Sequence, residues 1–168
     1  MKVVAIVDER KTGIFEIDRP VPKANQVLIR IKACALCTFE QRVFTRTTSR
    51  ALPWVGGHEF AGFIEELGEG VDPEVYKKGA KAAAKVLISC GECYYCRHGR
   101  ENLCTNAYKK SAASAGTISP NGLGEYIALD VSQVFILDDK ISWETAVFAE
   151  PLACVVNSIE RGQVGLAD

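Results

Sequence analysis

Cys90, Cys93, Cys96 and Cys104 follow one another with gaps of two, two and seven residues. Gaps of two let successive thiolates turn inward onto one ion, and a short loop returns the fourth to close a tetrahedron. Four thiolates leave Zn²⁺ no open position, so a site of this composition is structural: the metal contributes folding free energy and no catalysis. A ferredoxin-type cluster also uses two gaps of two, but its next cysteine comes after three residues and precedes proline. Here Thr105 follows Cys104. The spacing predicts a structural zinc lobe over residues 89–105. His98 lies inside this loop, but four sulfurs already satisfy the ion, and His98 is read as a surface residue.

The other donors are scattered: Cys34, Cys37, the His58-Glu59 pair, Glu150 and Cys154. Spacing alone does not join them. Taken singly, Cys37 reads equally as a small buried residue and His58 as a satisfied loop histidine. Cys34 and Cys37 also have the spacing of a redox pair, though no βαβ pattern surrounds them.

Composition bounds what such donors serve. The chain has 168 residues, room for one domain or two at most. With 48% apolar and 24% charged residues, disordered, collagen-like and low-complexity classes are excluded. Lys plus Arg number 20 against 21 for Asp plus Glu, a formal net charge of −1. That balance argues against nucleic acid or a membrane surface as partner. No run approaches the roughly 18 apolar residues of a spanning helix. The apolar stretch before Asp8 is too short for the core of a signal peptide. Seven cysteines, an odd number, without an export signal favour thiolate chemistry over a disulfide framework. These features predict a soluble, cytoplasmic globular protein.

The elements that must position the donors read as follows. Strands are predicted at residues 2–7 and 14–18, with a turn at Gly13 between them, and at 27–33, 60–67, 81–88, 125–129 and 134–137. Residues 38–44 suit a short helix with Thr38 near its cap and Phe39 and Val43 on one face. A helix over 143–159, capped by Ser142, contains Pro151, which should kink or break it. Many short strands, Gly-rich turns and few helices predict a mainly β, barrel-like domain.

Gly57-His58-Glu59, the Cys37 segment and the Cys90–Cys104 lobe, in this order, closely resemble the zinc-dependent medium-chain alcohol dehydrogenases. Glu65, Gly68 and Gly70 fit as well. Ala149-Glu150-Pro151-Leu152 resembles the polyol and threonine dehydrogenase branch. The resemblance covers nearly the whole chain. It implies a GroES-like β-barrel catalytic domain carrying two zincs, one structural and one catalytic. Cys37 and His58 would bind the catalytic zinc, with Glu150 or Glu59 as carboxylate ligand and a fourth position open for an alcohol oxygen. Oxidation would pass a hydride to NAD or NADP. A small alcohol or polyol is the implied substrate, and a homo-oligomer, dimer or tetramer, the implied assembly. The alternative is a zinc-stabilised GroES-like binding or assembly module without redox activity.

The sequence departs from the family at Cys37-Thr38-Phe39-Glu40, where members usually carry Gly, then Ser or Thr, then Asp after the cysteine. Glu40 can replace the Asp as acceptor for the ligand histidine's free N–H. Phe39 cannot replace the hydroxyl that relays the alcohol proton, and Thr38 offers one a position early, facing elsewhere. Cys34 and Cys154 read as buried structural residues, with Cys154 a rival ligand near Glu150. The glycine pairs Gly68/Gly70 and Gly122/Gly124 lack the strand–turn–helix of a dinucleotide site. A Rossmann cofactor domain is therefore expected to follow residue 168 in a longer parent, its first strand beginning near residues 161–168.

Overall fold

In the computed structural model, residues 1–85, 88–107, 118–163 and 165 are described. Strands β1 (Lys2–Asp8) and β2 (Lys11–Glu16) pair antiparallel, from Lys2 opposite Glu16 to Asp8 opposite Lys11. Gly13 lies inside β2 opposite Ala5, so the predicted turn at Gly13 is corrected to Glu9–Arg10. Arg10 takes the positive φ of 54° that the tight reversal requires.

The main sheet has five strands in the order β6-β3-β4-β5-β7. They are β3 (Gln26–Ala35), β4 (Glu59–Leu67), β5 (Lys81–Ala84), β6 (Tyr126–Asp130) and β7 (Val134–Ile136). Together with short helices they make a curled half-barrel, the mainly β architecture the sequence implies. Val27, Ile29, Phe60, Ile64, Ala82, Ala84, Ile127 and Val134 form the core between the strands. Alternating side chains account for much of this, since period two places every second residue on the core face. Strand β5 runs against propensity. Alanine is a poor strand former, yet Ala82, Ala83 and Ala84 are all buried, and Ala83 faces Ala61 across the β4 pairing. Close packing outweighs propensity there. The strand predicted over 81–88 ends at Ala84, and residues 86 and 87 lie outside the described residues.

The pairing of β3 with β4 matters most for the site. It runs from Val27 opposite Leu67 to Ala35 opposite Glu59, with irregularities at Leu28/Ile29 and Ile31/Ala33. Gly62 admits the partner strand here, because a Cβ at this position would lie 2.2 Å from the Arg30 carbonyl oxygen. Helix α1 (Thr38–Phe44) follows β3 directly, with the predicted bounds, and buries Glu40 and Val43.

Two helices replace the single one predicted over 143–159. They are α3 (Trp143–Ala146) and α4 (Ala149–Gly162), while α2 (Tyr94–Arg97) lies in the cysteine lobe. Ser142 caps α3 through Thr145 N–H at 3.2 Å. Pro151 sits in the first turn of α4, where its missing N–H costs nothing, and the break falls before it at Val147–Phe148. Residues 164 and 166–168, where a further strand was expected to begin, lie outside the described residues.

Replacing Ile64, which is 0% exposed, by alanine should cost about 2–5 kcal/mol. The Ile136→Ala change in β7, where the side chain is 42% exposed, should cost clearly less, about 1 kcal/mol. Urea midpoints of the two variants check this; equal losses would contradict the packing.

Candidate functional site

The site begins where β3 ends. Cys37 stands two residues beyond Ala35, and Ala35 lies opposite Glu59, the first residue of β4. Cys37 precedes the first turn of α1 and accepts Gln41 N–H at 3.3 Å. His58 is presented by a loop laced to residues 122–123. Gly122 N–H donates to Gly57 O at 2.8 Å, and Leu123 N–H to Gly56 O at 3.0 Å. Gly57 has φ +88°, and a Cβ there would lie 2.7 Å from both Cys34 Sγ and Leu123 N. Glycine is therefore required both by conformation and by the close approach.

These segments bring one donor atom each of Cys37, His58 and Glu59 within 4.8 Å of one another. Glu59 is 8% exposed. No lysine or arginine forms an ion pair with it among the described residues. A buried carboxylate beside a thiol and an imidazole, without a cationic side chain, fits a divalent ion of borderline softness such as zinc. Glu150, at the start of α4, stands outside this group. Burial pushes its carboxyl up, and it also feels His58, Glu59 and Glu40, so it borders the site electrostatically. Between the two predicted carboxylates, the geometry favours Glu59.

Glu40 is where the sequence reading is most specific. It is 4% exposed, and its Oε1 accepts Gly57 N–H at 3.0 Å and meets His58 Nδ1 at 3.0 Å. With Nδ1 engaged, Nε2 is the nitrogen left for a metal. Burial opposes charge on Glu40, but the bonds from His58 and Gly57 hold its carboxyl below the usual range. The same hydrogen bond raises His58 to about 9, so a metal must displace that ring's Nε2 proton. Thr38 is exposed, its Oγ1 3.9 Å from Cys37 Sγ. Phe39 meets Trp54 edge-on at 5.7 Å, which sequence reasoning missed because nothing local links the two.

Cys34 is half-buried, and burial with the nearby Glu40 and Glu59 pushes its thiol up to about 12. That suits an inert structural residue and not a redox thiol. Cys154 is exposed on α4, which corrects the expectation that it is buried; it joins neither donor group.

In the lobe, the sulfurs of Cys90, Cys93, Cys96 and Cys104 all lie within 4.8 Å of one another. Three of the Sγ–Sγ distances are 3.5, 3.9 and 4.0 Å. A tetrahedron with zinc–sulfur bonds of about 2.3 Å has an edge of about 3.8 Å, so these distances fit that ion and exclude disulfides. Backbone N–H groups draw Cys93 and Cys90 toward thiolate, whereas burial and the neighbouring Cys93 sulfur push Cys96 up. A cation releases that frustration. Lys85, just past β5, ties the lobe to the sheet through Glu101 at 2.6 Å. His98 is exposed as expected, its Nδ1 2.7 Å from Tyr94 O.

A curled β domain with one closed four-sulfur cluster and one mixed sulfur–nitrogen–oxygen cluster defines a class, and the chain belongs to it: the alcohol dehydrogenase GroES-like domain family, whose model matches residues 23–139. Among curated relatives, the starvation-sensing protein RspB of Escherichia coli K12 is 30% identical over 97% of this chain and 46% of its own length. An L-threonine 3-dehydrogenase from Rhizobium etli CIAT 652 is 31% identical over 94% of this chain and 46% of its own. A crystal structure of a short chain alcohol dehydrogenase from E. coli CFT073, complexed with NADH, superposes with a TM-score of 0.82 at 28% identity. It covers 97% of this chain and 46% of that one. The chain spans about half the length of the curated relatives it matches.

Three outcomes are expected. Cys96→Ser should lose one zinc equivalent and loosen the lobe, and mild chelation should strip the Cys37 centre before the lobe; metal analysis during chelator titration reads both. Glu40→Ala should weaken zinc at the Cys37 centre by about 10–100-fold while leaving lobe zinc intact, measured by competition with a chromogenic chelator.

Proposed function

We propose that this chain is the zinc-bearing catalytic domain of an NAD(P)-dependent dehydrogenase that oxidises an alcohol or polyol. A dinucleotide-binding domain follows residue 168 in the longer protein. The observation that supports this most is the meeting of Cys37, His58 and Glu59 from separate segments, in addition to the closed lobe. A module merely stabilised by metal needs the lobe and has no use for the second cluster. The NADH in the E. coli structure and the threonine dehydrogenases among the relatives support a nicotinamide cofactor and a small hydroxylated substrate.

Cys37, His58 and Glu59 would hold the zinc, with Glu150 as the carboxylate at its margin. When bound, zinc supplies a Lewis acid that polarises an alcohol or carbonyl oxygen. The chain's own residues set the conditions. One thiolate and one carboxylate offset the double charge, and Glu40 holds the imidazole in the tautomer that leaves Nε2 free. Phe39 excludes a relay hydroxyl from its position, so the alcohol proton leaves by another route.

Helix α4 supports the domain proposal. Leu152, Val155, Val156 and Ile159 are exposed along it, with Phe148 just before, and none of its residues is buried. An apolar face of this extent suits a covering domain. A cytoplasmic dimer or tetramer goes with the same reading, and no helix among the described residues is long and apolar enough to cross a membrane.

The zinc-loaded chain alone should neither bind NAD(P) in the micromolar range nor reduce it, whereas the longer protein should reduce it with alcohols or polyols. Cys37→Ser in the longer protein should cut kcat about a thousandfold, the equivalent of the several kcal/mol a Lewis acid supplies. Absorbance of the reduced cofactor and calorimetric titration test this. Turnover undiminished by Cys37→Ser would overturn it.

A further inference from the structure

Trp54 is held as a platform beside the donor cluster. Its backbone exchanges two hydrogen bonds with Ile6, at 2.8 and 3.0 Å, although it belongs to neither sheet. Its ring lies against Gly56: a Cβ there would come within 3.2 Å of two ring carbons and 2.8 Å of Glu40 Cγ. The indole is thus packed next to the side chain that fixes His58. Phe39, two residues beyond Cys37 and 36% exposed, abuts it edge-on. Arg50 lies over the indole, its Cζ 5.1 Å from the ring. The Arg50 carbonyl accepts a bond from Arg46 Nη1 at 3.1 Å, which braces the loop.

The charge of this flank is unbalanced. Residues 38–57 contain Arg42, Arg46 and Arg50 but a single acid, Glu40. That acid is buried and engaged with His58. No ion pair among the described residues involves any of the three arginines. Arg46 feels Asp8, which leaves Arg50 as the cation stacked on the platform. A guanidinium lying on an aromatic ring loses rotamer freedom while its edge keeps parallel N–H donors, the arrangement that grips a carboxylate or phosphate bidentately.

We propose that Phe39, Trp54 and Arg50 form a substrate-selecting wall, and that Arg50 pairs with an anionic group, carboxylate or phosphate ester, carried by the alcohol substrate. This rests on the dehydrogenase reading of the Cys37 centre and narrows its substrate class. Phe39 and Trp54 pack against the carbon chain, and Arg50 receives its charged end. The reacting hydroxyl is thereby held at a set reach from the anion.

Binding is read from Trp54 emission in the zinc-loaded chain carrying Trp143→Phe, since Trp143 lies under Lys81 elsewhere. The probes are 3-hydroxybutyrate, a hexitol monophosphate, the uncharged hexitol and inorganic phosphate. The two anionic alcohols should shift the emission saturably, and the tighter of them identifies the anion. Arg50→Gln should weaken both about tenfold or more, and Arg50→Lys less. In the longer protein, Arg50→Gln should raise KM for the anionic alcohol about tenfold more than KM for the uncharged hexitol, with the kcat values of the two substrates changing in parallel. Unchanged binding and KM in Arg50→Gln overturn the proposal; so does the uncharged hexitol or inorganic phosphate binding as tightly as the hexitol phosphate. Anion binding through Arg50, with no zinc-dependent oxidation of any alcohol, would keep the anion site and sink the dehydrogenase reading.

Discussion

One carboxylate oxygen, Oε1 of Glu40, joins the helix after Cys37 to the loop that carries His58. The two segments are otherwise joined by the end of the β3–β4 pairing and by the contact of Phe39 with Trp54. By accepting from both the Gly57 backbone and the His58 ring, that oxygen sets the loop's position and the ring's orientation together. The Glu40 side chain fits because Gly56 leaves room for its methylenes: a Cβ there would lie 2.8 Å from Glu40 Cγ. Its second oxygen is buried without a hydrogen-bond partner among the described residues. That cost, about 1–3 kcal/mol for an unsatisfied buried group, is tolerated at a site whose geometry needs the first oxygen.

The two donor clusters are built on opposite principles. The lobe closes within 15 residues, from Cys90 to Cys104, around one helical turn. Its chelate forms with little loop-closure cost. The other cluster requires β3 and β4 to have paired in register before Cys37 reaches His58 and Glu59. Metal at the lobe thus organises a local loop, and metal at the second cluster reports that the sheet itself has formed.

What could be read from the sequence follows the same division. The lobe was legible because its information is a spacing; α1 has the expected bounds, but its cap position is Cys37 without a side-chain bond, and it buries Glu40 with Val43 where Phe39 was expected to join Val43. Glu40 was legible as the partner of a ligand histidine only through the family likeness. That Glu59, and not Glu150, stands in one donor group with Cys37 and His58 was not legible, since it depends on Ala35 facing Glu59 across two irregularities in the ladder. Nor was the reversal at Arg10, where an arginine adopts a conformation more typical of glycine or asparagine. The stack of Phe39, Trp54 and Arg50 has no periodic signature at all. It exists because a backbone bridge to Ile6 places an irregular loop.

That bridge bears on how such a domain diversifies. The loop between α1 and Trp54 is pinned at one end by Arg10 N–H to Phe44 O at 2.7 Å, and at the other by the paired bonds to Ile6. Both anchors use main-chain atoms, which any side chain except proline at a donor position can supply. Neither involves a metal donor. Residues 48–53 can therefore change identity with little effect on where Cys37, His58 and Glu59 stand. The N-terminal ribbon, distant in sequence from the donors, acts in this sense as a post that holds a variable loop in place.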